Sequence, residues 1–250
     1  LLCVCASGGM TETPVRIPVG WSSVDALVAV RPSPVVVIAT HPWGPLGGSM
    51  HDPHPTMVCR LMSQAGCSSA RFNFRGGINR GASSVEDVKA VAAWFTEGRD
   101  GQPPLATQVL LVGYSYGSII AAAAAAEIPQ TIGYATLAPP LHYAWALYLL
   151  NGGHLLEQAR ASAGKPKLVV IGTDDIFCSV DTARAFADSL PEPKVAMIQD
   201  GVDHFSLFHH VPVVLTEWIM GAFDVPDLRA FAKFGSSSAP SSGSQCRANT

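Results

Sequence analysis

The run Leu110-Leu-Val-Gly-Tyr-Ser-Tyr-Gly-Ser-Ile-Ile120 restricts the fold more than any other stretch of this chain. A short apolar strand leads into Gly113-Tyr-Ser-Tyr-Gly117, and a helix of small residues follows. Gly113 and Gly117 carry no Cβ, so backbone can pass close on both sides of Ser115 and leave its hydroxyl at the tip of a sharp turn. On its own the pentapeptide is equally compatible with an ordinary strand-to-helix turn that contains a serine. The rest of the chain has to decide.

Flanking patterns extend the strand–helix alternation in both directions. Pro14 to Val19 and Val24 to Val30 read as two short strands around Gly20, an antiparallel pair at a sheet edge. Val35-Val-Val-Ile-Ala-Thr40 is apolar and β-branched throughout, as in a strand buried on both faces. A helix is predicted over 56–66, a strand over Ala70 to Phe74, and a helix from Ser83, with Glu86 completing a capping box. After the motif helix, Tyr116 to Ile128, come strands at Thr131 to Leu137, Lys167 to Ile171 and Lys194 to Ile198. Helices are predicted at Thr182 to Leu190 and at Phe205 to Phe223. Such alternation implies right-handed crossovers and a mostly parallel sheet with helices on both faces. Ligands of such sheets bind beyond the carboxyl ends of the strands.

Composition removes several classes of function. With 48% apolar and 14% charged residues in 250, the chain can bury a large core. A net charge of −3 with no basic block gives nucleic acid no electrostatic purchase. No apolar run reaches the roughly 18 residues of a membrane span. Cys3, Cys5, Cys59, Cys67, Cys178 and Cys246 are scattered without a C-x-x-C pair, which reads as free thiols in a reducing compartment, the cytoplasm or an organelle. His41, His51, Asp52 and His54 share one loop but match no standard zinc spacing, so no metal is expected. The opening Leu1-Leu-Cys-Val-Cys5 reads as a truncated start or a leader remnant, residues 1–13 as an N-terminal segment, and 226–250 as a flexible, Ser-rich tail.

A serine hydroxyl is a weak nucleophile until a base takes its proton. Later strand ends supply a histidine, in Ile198-Gln-Asp-Gly-Val-Asp-His204, and an acid, in Ile171-Gly-Thr-Asp-Asp175. Singly, each has a bland reading: His204 as a surface-loop histidine, Asp175 as a turn or N-cap residue. Together they occur in the order Ser, Asp, His, each just after a strand.

Over about residues 14 to 223 the sequence resembles the α/β-hydrolase superfamily, and within it the compact serine hydrolases with a short cap. The likeness rests on His41-Pro42 with Gly47-Gly48, Arg71-Phe-Asn-Phe-Arg-Gly76, Gly113 to Gly117, Gly172-Thr-Asp-Asp175-Ile-Phe177 and Asp203-His204-Phe205. Gly76-Gly-Ile-Asn-Arg-Gly81 departs from the Gly-x-Gly-x-Ser-type run more common in relatives. The resemblance implies an eight-stranded, mostly parallel sheet in one domain over 14–225, with a minimal cap at about 140–165. It implies a cofactor-free esterase or thioesterase acting on a small-molecule acyl substrate, with Ser115 as nucleophile, His204 as base and Asp175, rather than Asp174, as the acid. The oxyanion donors are expected to be the backbone N–H groups of Tyr116 and Trp43, with His41 ordering that loop. Tyr114, Tyr143, Trp145 and Tyr148 are the candidate substrate-binding residues. A peptidase using the same machinery, or a non-catalytic ligand-binding protein, stays open.

Overall fold

A computed structural model describes residues 11–75, 81–98, 101–147 and 151–223. Tyr148, the serine-rich tail, most of the N-terminal segment and residues 76–80 lie outside the described residues. Eight strands form one sheet in the order β1-β2-β4-β3-β5-β6-β7-β8. They are β1 (Thr13–Val19), β2 (Ser22–Ala29), β3 (Val35–Thr40), β4 (Ser68–Phe72), β5 (Gln108–Tyr114), β6 (Thr131–Leu137), β7 (Lys167–Gly172) and β8 (Lys194–Gln199). Only β2 runs against its neighbours, pairing antiparallel with both β1 and β4. Every other pairing is parallel.

The strands that read as continuous apolar runs lie inside the sheet, none of them at an edge. β3, the apolar part of β5, and β7 are buried on both faces. In β1, Ile17 and Val19 point inward, and in β2 Val24, Ala26 and Val28 do so, the alternation of a half-covered edge.

Among the described residues the α-helices are α1 (Pro53–Gln64), α2 (Ala82–Thr96), α3 (Tyr116–Glu127), α4 (Ala144–Leu147), α5 (Gly152–Arg160), α6 (Val180–Ser189) and α7 (Val211–Ala222). The crossover through α1 runs from β3 to one side, and the one through α2 returns past β3 to β5. With right-handed crossovers these opposite directions place α1 and α2 on opposite faces. The later forward crossovers share the face of α2, and α7 returns to pack on α1. The reversal opens a crevice at the carboxyl ends of β3 and β5. Ala121 to Ala125 let α3 lie flat on the sheet, with every residue from Ile119 to Ala125 fully buried.

Several boundaries differ from those expected. α1 begins three residues early because Asp52 caps it, accepting from the His54 N–H, and Pro53 fits its first turn. β4 ends at Phe72 because the Phe74 N–H leaves the ladder to donate to His41 Nε2. Ser83 lies inside α2 instead of capping it; Gly81, at φ +86, occupies the N-cap. The final helix is broken. A 3-10 turn at Ser206–His209 precedes α7, and Pro212, which has no N–H and would crowd the preceding turn, sits at its start. Between β6 and β7, a 3-10 turn (Leu141–Tyr143) and α4 rise over the strand ends, whereas α5 packs back beside α3, with Leu155 and Ala159 buried.

Candidate active site at the strand ends

Ser115 stands between β5 and α3 with φ 51 and ψ −123. This is a conformation that L-residues rarely adopt and that costs about 1–3 kcal/mol. The turn is held from both sides. The Ser115 N–H donates to Leu137 O (2.9 Å), and Ser118 Oγ donates to Ser115 O (2.6 Å). A Cβ on Gly113 would lie 2.4 Å from Gly117 O, and one on Gly117 would lie 2.6 Å from His41 O, so both glycines are required by close backbone approach. Thr40 Oγ1 also donates to Gly117 O (2.9 Å). The end of β3 and the loop after it are thereby pressed against the N-terminus of α3.

That loop is ordered by His41. The Phe74 N–H donates to His41 Nε2 (3.0 Å), so the proton sits on Nδ1 and is donated to Pro42 O (2.5 Å). Trp43 O then accepts from the Leu46 and Gly48 N–H groups. Trp43, just before the 3-10 turn Gly44–Leu46, and Tyr116, the first residue of α3, line one cavity. Both expected oxyanion residues belong to this junction. The Tyr116 side chain turns away from it to Ser84 Oγ (3.0 Å), and burial pushes its phenol pKa up to about 12.

From the far side of the sheet, Asp175 and His204 reach the same point. A Cβ on Gly172 would meet Val202 O at 1.9 Å, so the loops after β7 and β8 lie directly on each other. Asp174 and Asp175 point in opposite directions. Asp174 is exposed, while Asp175 is buried and its Oδ1 accepts from the Phe177 and Cys178 N–H groups (2.7 and 3.1 Å). Its Oδ2 is left to accept from His204 Nδ1 (2.7 Å), and His204 Nε2 lies 3.0 Å from Ser115 Oγ. With the Nδ1 proton committed to the carboxylate, the Nε2 lone pair faces the serine hydroxyl. Both Ser115 (8% exposed) and His204 (4%) retain only a small opening to solvent.

A cavity of about 580 Å³ opens above Ser115 and His204. Its apolar walls include Leu46, Pro140, Tyr143, Leu147, Phe177 and Phe205. Trp43 and Gly48 also line a second cavity of about 390 Å³, to which Asn73, Arg75 and Ser84 contribute. Of the expected pocket residues, Tyr143 lines the larger cavity. Trp145 does not: on α4 the walls are Ala146 and Leu147, and Trp145 faces solvent at 69% exposure. Tyr114 borders the cavity, but its hydroxyl donates to His204 O (3.0 Å), and its ring stacks on His54 with 3.4 Å between centroids. Phe177 and Phe205 flank His204 at 4.5 and 5.4 Å. Neither is among the expected pocket residues, although each follows the acid or the histidine closely in sequence.

The four loop residues weighed as metal ligands have other engagements or separate positions. His41 uses both ring nitrogens as described, His54 Nδ1 binds Asp52 Oδ1 (3.0 Å), and His51 is exposed. Among the described residues no group of three His, Cys, Asp or Glu side chains is arranged to hold a metal ion. Burial lowers the pKa of both His41 and His54 below the ordinary value of 6.5. Below pH 6.5 the unfolded chain therefore takes up protons that the folded chain refuses, and stability falls as pH drops. The expected slope reaches about 1.4 kcal/mol per pH unit for each histidine. Urea unfolding at pH 7.5, 6.5 and 5.5 measures it, and His54→Phe is expected to flatten the decline.

No protein-family profile matches the chain. An uncharacterized protein of Rickettsia prowazekii is 22% identical over 188 residues, covering 71% of this chain and 74% of that protein. Among solved structures, an α/β serine hydrolase without a lid from Xanthomonas campestris superposes with a TM-score of 0.69 at 21% identity, covering 87% of this chain and 97% of that one. An esterase of Pyrococcus furiosus gives 0.70 at 18% identity, covering 85% and 93%. Among the described residues no helix is long and apolar enough to cross a membrane. In strand order, in the single antiparallel strand β2, and in the overlap with these structures, the chain has the α/β-hydrolase fold.

Proposed function

We propose that this protein is a serine hydrolase that cleaves a carboxylic ester or thioester through an acyl-enzyme intermediate. The observation that carries this reading is the unbroken hydrogen-bonded chain from Ser115 Oγ through His204 to Asp175, seated at a strained turn beneath an open cavity. His204 Nε2 takes the hydroxyl proton as Ser115 Oγ attacks the acyl carbonyl. The resulting imidazolium is stabilised by Asp175, which also holds the ring in the Nδ1–H tautomer. Charge on the carbonyl oxygen is met by the Tyr116 and Trp43 N–H groups and by the positive end of the α3 dipole. His204 then protonates the departing alcohol or thiol. Water, deprotonated by the same nitrogen, attacks the acyl-serine and releases the acid. The similarity to a serine hydrolase and an esterase agrees with this chemistry.

The test is reaction of the intact protein with a fluorophosphonate probe, together with turnover of short p-nitrophenyl esters. Labelling of Ser115 and ester turnover are the expected results. Absence of both would sink the proposal, and turnover of peptides in preference to esters would redirect it.

Tyr114 acts in this scheme as a positioning residue. Its hydroxyl holds the backbone of His204, so Tyr114→Phe is expected to lower kcat about tenfold with KM little changed. A substrate-binding role would instead raise KM.

A further inference from the structure

The electrostatics of the larger cavity are one-sided. Among the described residues that wall it there is no Lys or Arg, while Asp52 contributes a carboxylate. Asp52 sits at the N-cap of α1 and is partly exposed, with a side-chain exposure of 22%. Its Oδ1 accepts from both the backbone N–H and Nδ1–H of His54 (3.0 Å each). His54 is not a counter-charge. It is buried against Tyr114 and Phe208, its Nε2 has no hydrogen-bond partner among the described residues, and burial disfavours its protonation. The charges of Asp52, Asp175 and Asp203 all bear on Tyr114 at the cavity border. Arg75, the cation among the described walls of the neighbouring cavity, has its Nε on buried Asp87 (2.5 Å). Among the described residues, positive potential comes from the N-terminus of α3, where the carbonyl oxygen would lie, and from that of α1, which offsets part of the Asp52 charge.

We propose that the cavity accepts uncharged, apolar esters, and that Asp52 is a specificity-determining residue that rejects substrates carrying a negative charge near the scissile bond. The proposal rests on the hydrolase reading of Ser115. Apolar walls favour a hydrocarbon group, and a carboxylate placed among them would lose its hydration and face Asp52 without a cation to balance it. The same field assists turnover. Hydrolysis converts a neutral ester into an anionic acid, which the cavity then repels.

Matched substrate pairs test this. p-Nitrophenyl pentanoate and the p-nitrophenyl monoester of glutaric acid place the charge on the acyl side. Phenyl butanoate and p-carboxyphenyl butanoate place it on the alcohol side. In at least one pair the neutral ester is expected to have a kcat/KM at least about tenfold higher, the effect of ~1.4 kcal/mol of repulsion. Asp52→Asn, which retains an N-cap acceptor, is expected to shrink that ratio by about threefold or more. Salt gives a second readout on the unaltered protein. Raising ionic strength from about 0.01 M to about 1 M shortens the Debye length from roughly 30 to 3 Å and is expected to reduce the ratio. Ratios near one in both pairs, or a ratio that neither the Asp52→Asn substitution nor salt changes, overturn the proposal while leaving the hydrolase reading intact. Absence of all ester turnover and of probe labelling overturns both.

Discussion

Ser115→Ala is expected to abolish fluorophosphonate labelling and to lower ester turnover by about 10⁵-fold or more, with the fold unchanged. On the proposed mechanism the loss is large because the nucleophile has no substitute. Removing Oγ leaves His204 Nε2 facing nothing it can deprotonate except water. The residual rate then reports only what the oxyanion donors and the cavity contribute. The fold is expected to survive because Oγ makes no helix-capping bond, and the Ser115 N–H and O keep their partners Leu137 and Ser118. Ser115→Gly separates chemistry from strain. It removes the same hydroxyl, but glycine adopts φ 51 freely, so it is expected to be more stable than Ser115→Ala by about 1 kcal/mol in urea unfolding. Stronger turnover in either variant than in a His204 variant would remove Ser115 from the role of nucleophile.

Asp175→Asn is expected to lower kcat by about 10⁴-fold, while Asp174→Asn leaves it within about twofold. The two residues are adjacent, so the comparison isolates direction from composition. An amide at position 175 can still accept from the Phe177 and Cys178 N–H groups through its oxygen. Its NH₂ would then face His204 Nδ1, which becomes the acceptor, and the Nε2 proton points at Ser115. The base is lost with the geometry retained. Steady-state kinetics on one p-nitrophenyl ester, with circular dichroism to verify folding, decides the matter. Equal effects at 174 and 175 would place the acid elsewhere.

Much of the fold was legible because its signals are local. Val35 to Thr40 and Lys167 to Ile171 read as buried strands from β-branched apolar runs alone, and both are buried throughout inside the sheet. The errors were local too, and each traces to a competing interaction. Phe74 gives its N–H to His41 instead of to the sheet, and Pro212 interrupts a helix whose apolar pattern runs on through it. Asp52-Pro53 carries the local signal of a helix start, an N-cap acceptor followed by proline in the first turn.

What the sequence by itself determined is the strand–turn–helix that exposes Ser115 and the chain order in which Asp175 and His204 follow at strand ends. Those are properties of short segments: glycine spacing, β-branched runs and their succession along the chain. Tertiary structure alone decided which neighbours the side chains meet. It turned Asp175 inward and Asp174 outward, sent Trp145 to solvent, and set Tyr114 beneath His204 as a brace. It also brought Leu46, Tyr143 and Phe205 together around one cavity and left Asp52 there without a cation among its described walls. These residues lie on loops tens of residues apart, and only the parallel sheet, which delivers every β-to-α loop to the same edge, makes them neighbours.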